Sequence, residues 1–255
     1  MRKLLYSSVL LTKIEDPKHL TIAQRERVVK DGLGDREDSV RVAAGKVVEA
    51  WFESIVSEGA GDGTVVGDIV GFLQLFEIVE FGAGTAADAL QSLFVMRKRV
   101  LDGIVFNGLC SNVFHMWTKC LTMGADSFWN ELTAESALLA RIFVDHCLSR
   151  KDEPNLDAAS LPVVTAFAFH IQEVYNAFLE LADENKMFEV AAGEDVNEEE
   201  RDRVEEEMAQ AAFVLCELLK VAVHLDYADE TGRRKLSVVV RESIFDFFCT
   251  SSSSR

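Results

Sequence analysis

The sequence predicts an all-α protein, a solenoid of stacked antiparallel helix hairpins, on three observations. Apolar residues recur near every 3.6 positions in nearly every segment, while clean two-residue alternation is almost absent. The predicted hairpins repeat at roughly 40 residues, a period at which stacked helical units bury a continuous core. Only three prolines occur in 255 residues, and just one, Pro162, lies near a long apolar segment, so little interrupts a helix.

The apolar pattern predicts helices at about 2–14, 21–32, 38–57, 64–79, 84–103, 107–122, 127–150, 160–187, 197–226 and 232–248. Residues 2–14 hold a short apolar run after Arg2-Lys3, broken by Tyr6-Ser7-Ser8 and followed by no small-residue cleavage site. They read as the second half of a hairpin whose partner is missing, not as a signal peptide. Residues 21–57, 64–103 and 107–150 then form three hairpins, and two longer helices follow at 160–187 and 197–226. Each hairpin buries its face only against its neighbours, so the edges of such an array need caps.

The first hairpin carries the most informative stretch. Ile22, Val29 and Leu33, with Val28 alongside, form a helical stripe that ends at Gly32-Leu33-Gly34. Glycine tolerates the left-handed conformation that a helix end needs. Asp35 or Asp38 can cap the next helix by accepting its free N–H groups. Val40, Ala43, Ala44, Val47, Val48 and Trp51 restart the apolar face at i, i+3, i+4, i+7. This turn and helix start read as a HEAT repeat, in which the turn Asp and the helical Arg, here Asp35 and Arg41, tie neighbouring repeats together.

Two connectors and a tail punctuate the rest. Ser57 to Thr64 is a Gly-rich turn between hairpins. Ala191 to Glu200 is an acidic loop running into a helix, which Asn197 can cap while Glu198, Glu199 and Glu200 sit at its positive end. Cys249 to Arg255 holds almost no packing residues and is expected to be a disordered tail, leaving 1–248 as one repeat segment.

Charge narrows the function. With 26 Lys+Arg against 43 Asp+Glu, the net charge of -17 argues against non-specific nucleic-acid binding by the chain as a whole. Residues 1–50 carry 10 basic and 8 acidic side chains, a net of +2; residues 180–230 carry 4 and 17, a net of -13. A polyanion would therefore meet the N-terminal part, or the clusters Arg97-Lys98-Arg99 and Arg233-Arg234-Lys235. The first cluster lies at a helix end, where cations interact well with the dipole; its alternative reading is a DNA-facing patch. No run reaches 18 uninterrupted apolar residues, so no membrane span is predicted.

Catalytic signals are weak. Five cysteines, Cys110, Cys120, Cys147, Cys216 and Cys249, are odd in number and form no C-x-x-C pair, which points to a reducing compartment. His115, His146 and His170 sit on predicted helices among apolar neighbours, without a ligand partner at i+3 or i+4. Asp145 and His146 are adjacent on a helix and do not face each other. Gly32-Leu33-Gly34 lacks the third glycine of a dinucleotide fingerprint, and no Lys-Ser/Thr follows Phe81-Gly82-Ala83-Gly84 at P-loop spacing. Neither a catalytic residue, a metal site nor a cofactor is expected.

Two longer stretches make the resemblance specific. Arg25 to Arg41, followed by Trp51, and Phe128-Trp129-Asn130-Glu131-Leu132-Thr133-Ala134-Glu135 running to Phe143 resemble, in this order, the fungal form of condensin complex subunit 3, the CAP-G family. The helix pair around Leu181-Ala182-Asp183-Glu184 and the acidic block resembles the family's insertion-like connection. Together these cover most of 1–245. The resemblance implies a middle section of a longer HEAT solenoid, without its N-terminal repeats and C-terminal lobe; from about Phe245 the pattern departs, as in a truncated gene model.

The same resemblance implies a non-catalytic scaffold in mitotic chromosome condensation, in the nucleus on chromosomes. Its partners would be the kleisin subunit, the ATP-hydrolysing SMC subunits indirectly, and DNA only within the complex. The alternative is a HEAT adaptor of another pathway, such as nuclear transport or a phosphatase scaffold, using the acidic 180–230 region. An enzyme on a helical scaffold has only the scattered histidines behind it.

Overall fold

Every regular element among the described residues is a helix. The computed structural model describes residues 1–14, 16–59, 65–97, 100, 132–158, 164–190 and 197–252. The chain divides into two compact units, Met1–Thr118 with Leu138–Ser160, and Lys119–Ala137 with Leu161–Arg255.

In the first unit, α1 is composite: α turns Arg2–Leu4 and Leu11–Lys13 flank a π-helical stretch, Leu5–Leu10. It buries Tyr6 and Leu10, and the Tyr6 hydroxyl donates to the Val28 carbonyl at 3.0 Å, fastening α1 to the next helix. That helix, α2 (Ile22–Leu33), starts in a capping box. The Gln24 N–H donates to Thr21 Oγ1 at 3.3 Å and the Thr21 N–H to Gln24 Oε1 at 3.0 Å, satisfying two otherwise orphaned donors. Its stripe is narrower than expected, because Val29 is buried while Val28 and Leu33 are half-buried and Ile22 is exposed.

Helix α3 (Asp38–Glu58) packs on α2, completing the hairpin expected at 21–57. It buries Val40, Ala43, Ala44, Val47, Val48 and Trp51, with Phe52 and Ile55 extending the face. Gly59, at φ 64°, ends it in the left-handed conformation. The glycines of the preceding turn work differently. Gly34 is right-handed, at φ -83°. Gly32 is where α1, α2 and α3 converge, and a Cβ there would lie 2.6 Å from both Ala44 Cβ and Tyr6 Cε1.

The helix expected at 64–79 is broken. α4 (Val65–Leu73) stops, and a π turn, Ile78–Gly82, leads straight into α5 (Ala83–Met96). Contacts on both sides of the break hold the segment in place. The Phe72 ring packs edge-on against Phe52 and Phe76, at 5.9 and 5.6 Å between centroids. The Glu77 N–H, freed by a non-helical backbone, donates to Glu26 Oε1 of α2 at 3.0 Å. α5 ends at Met96 instead of about 103, since Arg97 turns out of the helix at φ -128°, ψ 81°.

The first helix expected in the third hairpin, 107–122, lies outside the described residues. Its second is α6 (Ala134–Arg150), which starts at Thr133, whose Oγ1 accepts the Ser136 N–H at 3.2 Å. From Leu138 onward it gives the first unit Leu138, Leu139, Ile142, Phe143 and Cys147, all buried. A short helix that the apolar spacing missed, α7 (Glu153–Ala158), follows Lys151 at φ 55°.

The second unit is built on α8 (Val164–Val190), against which α9 (Glu198–Ala222) and α10 (Glu230–Ser252) both pack. Val164, Phe167, Ala168, Ile171 and Val174 meet a face containing Val214, Leu218, Val221, Leu236 and Val239. Asn197 is the N-cap of α9 but makes no side-chain cap bond; its carbonyl accepts from the Glu200 and Arg201 N–H groups instead. At the α9–α10 turn, Asp229 accepts from the N–H groups of Thr231 and Gly232, at 3.0 and 3.1 Å, and from the Thr165 hydroxyl at 2.5 Å. α10 runs through Cys249 to Ser252, four residues that the composition assigns to a disordered tail. Small polar residues can continue a helix already nucleated upstream, because propagation is far easier than initiation.

Candidate functional site

The turn between α2 and α3 assembles the residues singled out in the sequence, with a different wiring. Asp35 is buried, and both its oxygens are used: Oδ2 accepts from Arg2 Nη1 of α1 at 2.6 Å, and Oδ1 from the Glu37 N–H at 2.9 Å. Asp35 therefore satisfies a backbone donor at the entry to α3 while joining that turn to α1. Glu37 holds the N-cap position itself, without a side-chain cap bond. The Arg41 guanidinium donates to the Asp35 carbonyl at 2.7 Å and pairs with Asp38, so it closes its own turn. Asp35 and Arg41 do not bond side chain to side chain; the cross-helix tie is Asp35 with Arg2. Arg2 carries no repeat signature in the sequence and stands 33 positions away.

Arg97 is drawn inward. Its Nε donates to Glu49 Oε1 at 2.7 Å, and Nη2 pairs with Glu53, both on α3. Two carboxylates answer one guanidinium, ion pairs that the reading of a helix-end cation cluster did not include. Lys98 and Arg99 lie outside the described residues.

The groups that could suggest chemistry are packed as core. The His146 ring sits edge-on to Phe94 at 5.3 Å, and burial with the nearby Arg150 lowers its pKa. Burial lowers the His170 pKa to about 4. The Cys147 thiol is buried, and desolvation, then Asp152, pushes its pKa up to about 12, which removes the thiolate needed for nucleophilic attack. His115 lies outside the described residues. Among those described, no three His, Cys, Asp or Glu side chains are grouped to hold a metal ion, and no helix is long and apolar enough to cross a membrane.

One buried carboxylate escaped the sequence reading. Glu217, on α9, is 1% exposed and accepts from Lys220 Nζ at 2.6 Å. Its position within the apolar run Phe213 to Val223, three residues before a lysine, is the signal that could have found it.

Helix hairpins that bury their faces against one another, with an aspartate tying a repeat turn back to α1, define a HEAT-type helical-repeat protein. Known proteins agree and narrow the class. The chain is similar to condensin complex subunit 3 of Schizosaccharomyces pombe, 28% identical over 238 residues, and to that of Xenopus laevis, 27% identical over 244. The alignments cover 92% and 95% of this chain but 21% and 20% of those proteins, so the chain spans about a fifth of the relatives' length. The Saccharomyces cerevisiae subunit 3 is 23% identical over 220 residues, covering 86% of this chain and 17% of its own length. Among solved structures, the S. pombe condensin Cnd3-Cnd2 subcomplex matches with a TM-score of 0.68 and 26% identity, covering 95% of this chain and 26% of the matched chain. No protein-family model matches.

Proposed function

We propose that the chain acts as a scaffold section of a condensin subunit 3, binding the kleisin subunit and supporting DNA engagement in chromosome condensation. The observation that carries this reading is the match of 95% of the chain, at a TM-score of 0.68, to the S. pombe condensin Cnd3-Cnd2 subcomplex, in which Cnd2 is the kleisin. On this reading the chain works in the nucleus on mitotic chromosomes, reaches the SMC subunits through the kleisin, and has no catalysis of its own. The burial of Cys147, His146 and His170 supports a non-catalytic role, because it withholds the Cys147 thiolate and keeps both imidazoles out of reach of a substrate.

The test is co-precipitation of the full chain with the kleisin subunit from the same organism. Stoichiometric capture that survives moderate salt supports the reading, and failure to capture it overturns the kleisin assignment. DNA engagement is tested separately, by comparing duplex binding of the kleisin alone with that of the kleisin plus this chain. An added contribution from the chain is expected.

A further inference from the structure

In a chain of net charge -17, α10 carries a positive surface beside exposed apolar residues. Arg233, Lys235 and Arg241 are all exposed; the Lys235 charge reaches Asp229 and helps to lower its pKa, while Arg234 pairs with Glu230 at 2.5 Å. Arg234, Val238 and Arg241, at i, i+4, i+7, lie along one face of the helix. Between that face and α8 opens a cleft of about 330 Å³, lined by Ala168, Phe169, Gln172, Lys235, Val238 and Val239. Its lip is unusual: Phe169 is 54% exposed and Val238 is 43% exposed, although the neighbouring Phe167 and Val239 are buried. Lys235 Nζ stands 4.0 Å from the centre of the Phe169 ring, so the aromatic face is itself crowned by a cation.

We propose that this cleft docks an acidic linear peptide that inserts one large apolar side chain against Phe169 and Val238. The two properties of the surface select the occupant together. The exposed cations attract a carboxylate-rich segment, and the surrounding negative chain narrows that attraction to the α10 face. The apolar lip is desolvated only by a partner that brings its own hydrophobic anchor, the usual centre of binding energy in a small interface. Duplex DNA answers the charge but presents phosphates, leaving Phe169 and Val238 in water. The inference stands on α8 and α10 alone and does not depend on the kleisin reading.

The experiment is fluorescence anisotropy of the full chain with a fluorescein-labelled probe peptide, Glu-Asp-Glu-Phe-Leu-Glu-Asp-Glu. A second probe replaces its Phe-Leu by Ser-Ser, and a third is a short labelled duplex DNA. The expected result is saturable, salt-sensitive binding of the first probe, with the Ser-Ser probe weaker by about tenfold or more. Lys235→Glu and Val238→Ser should each weaken the first probe by a similar factor while far-UV circular dichroism stays unchanged, since both side chains are exposed. Three results each overturn the proposal: no binding of the first probe, equal binding of the Ser-Ser probe, or duplex DNA binding more tightly than the peptide through the same residues. Should Lys235→Glu disturb the fold, Val238→Ser alone decides, because it leaves every charge in place.

Discussion

Asp35 Oδ2 lies 2.6 Å from Arg2 Nη1, across 33 residues of sequence, and the aspartate side chain is 4% exposed while the arginine is 65% exposed. The burial is lopsided, so the aspartate has more to lose than the arginine, which can return to water. Asp35→Ala strands the Glu37 N–H and is expected to cost about 1–2 kcal/mol, the range for losing a helix-entry acceptor. Arg41→Ala removes bonds confined to one turn from a side chain that is 42% exposed, and is expected to cost about 0.5–1 kcal/mol. Chemical denaturation of the two variants should give that order; the reverse order would contradict the wiring of this turn.

Gly32→Ala is expected to destabilise the first unit by about 1–3 kcal/mol, the scale for overpacking a close-fitted contact. The added methyl would meet Ala44 Cβ and the Tyr6 ring at 2.6 Å, and neither is a flexible side-chain tip. A melting temperature equal to the parent's would show that α1 does not sit this close to α2 and α3.

Arg97→Ala is expected to lower stability by about 1 kcal/mol, since a partly exposed ion pair contributes little even with two carboxylates. The same variant should leave duplex-DNA binding unchanged, both for the chain and for its complex with kleisin, because Glu49 and Glu53 already occupy the guanidinium. Electrophoretic mobility shifts at several salt concentrations read this out. A fall in affinity with Arg97→Ala would place that residue on a DNA-facing surface.

Cys147 and Cys216 should differ sharply in reactivity. Cys216 is exposed and Cys147 is buried, with its pKa raised to about 12. Iodoacetamide at pH 8, followed by peptide mass spectrometry, should label Cys216 in the native chain and Cys147 only after denaturation.

His170 makes stability depend on acidity in a defined direction. Its folded-state pKa, lowered by burial to about 4 from its ordinary value of 6.5, means that the unfolded chain takes up the proton first. Its share of stability is therefore complete above about pH 6.5, falls as the pH drops toward about 4, and is constant below that. Comparing urea midpoints of the parent and His170→Gln across that window isolates this one group from the titrating carboxylates. The parent should lose more stability than the variant on acidification.

How far the fold was legible follows from how far apart its causes lie. The buried face of α3 was readable because Val40, Ala43, Ala44, Val47, Val48 and Trp51 encode it within one helix. The break after α4 was not, because the acceptor for the Glu77 N–H is Glu26, 51 residues earlier. The repeat turn was recognised from Asp35 and Arg41, yet the bond that crosses to α1 runs through Arg2, which no local pattern marks. The ion pairs of Arg97 were not legible because Glu49 and Glu53, its partners, belong to the previous hairpin.

The π-helical stretches Leu5–Leu10 and Ile78–Gly82 each wind one more residue into a turn than an α-helix does. A helix that absorbs an extra residue this way keeps the phase of everything beyond it. Tyr6 and Leu10 both point inward across the first stretch, although Leu5 and Val9 between and beside them are exposed. The first stretch, helical on both sides, is thus where the chain can gain or lose a single amino acid without rotating its downstream packing face. Alignments with relatives whose corresponding helices are regular should place one-residue gaps there.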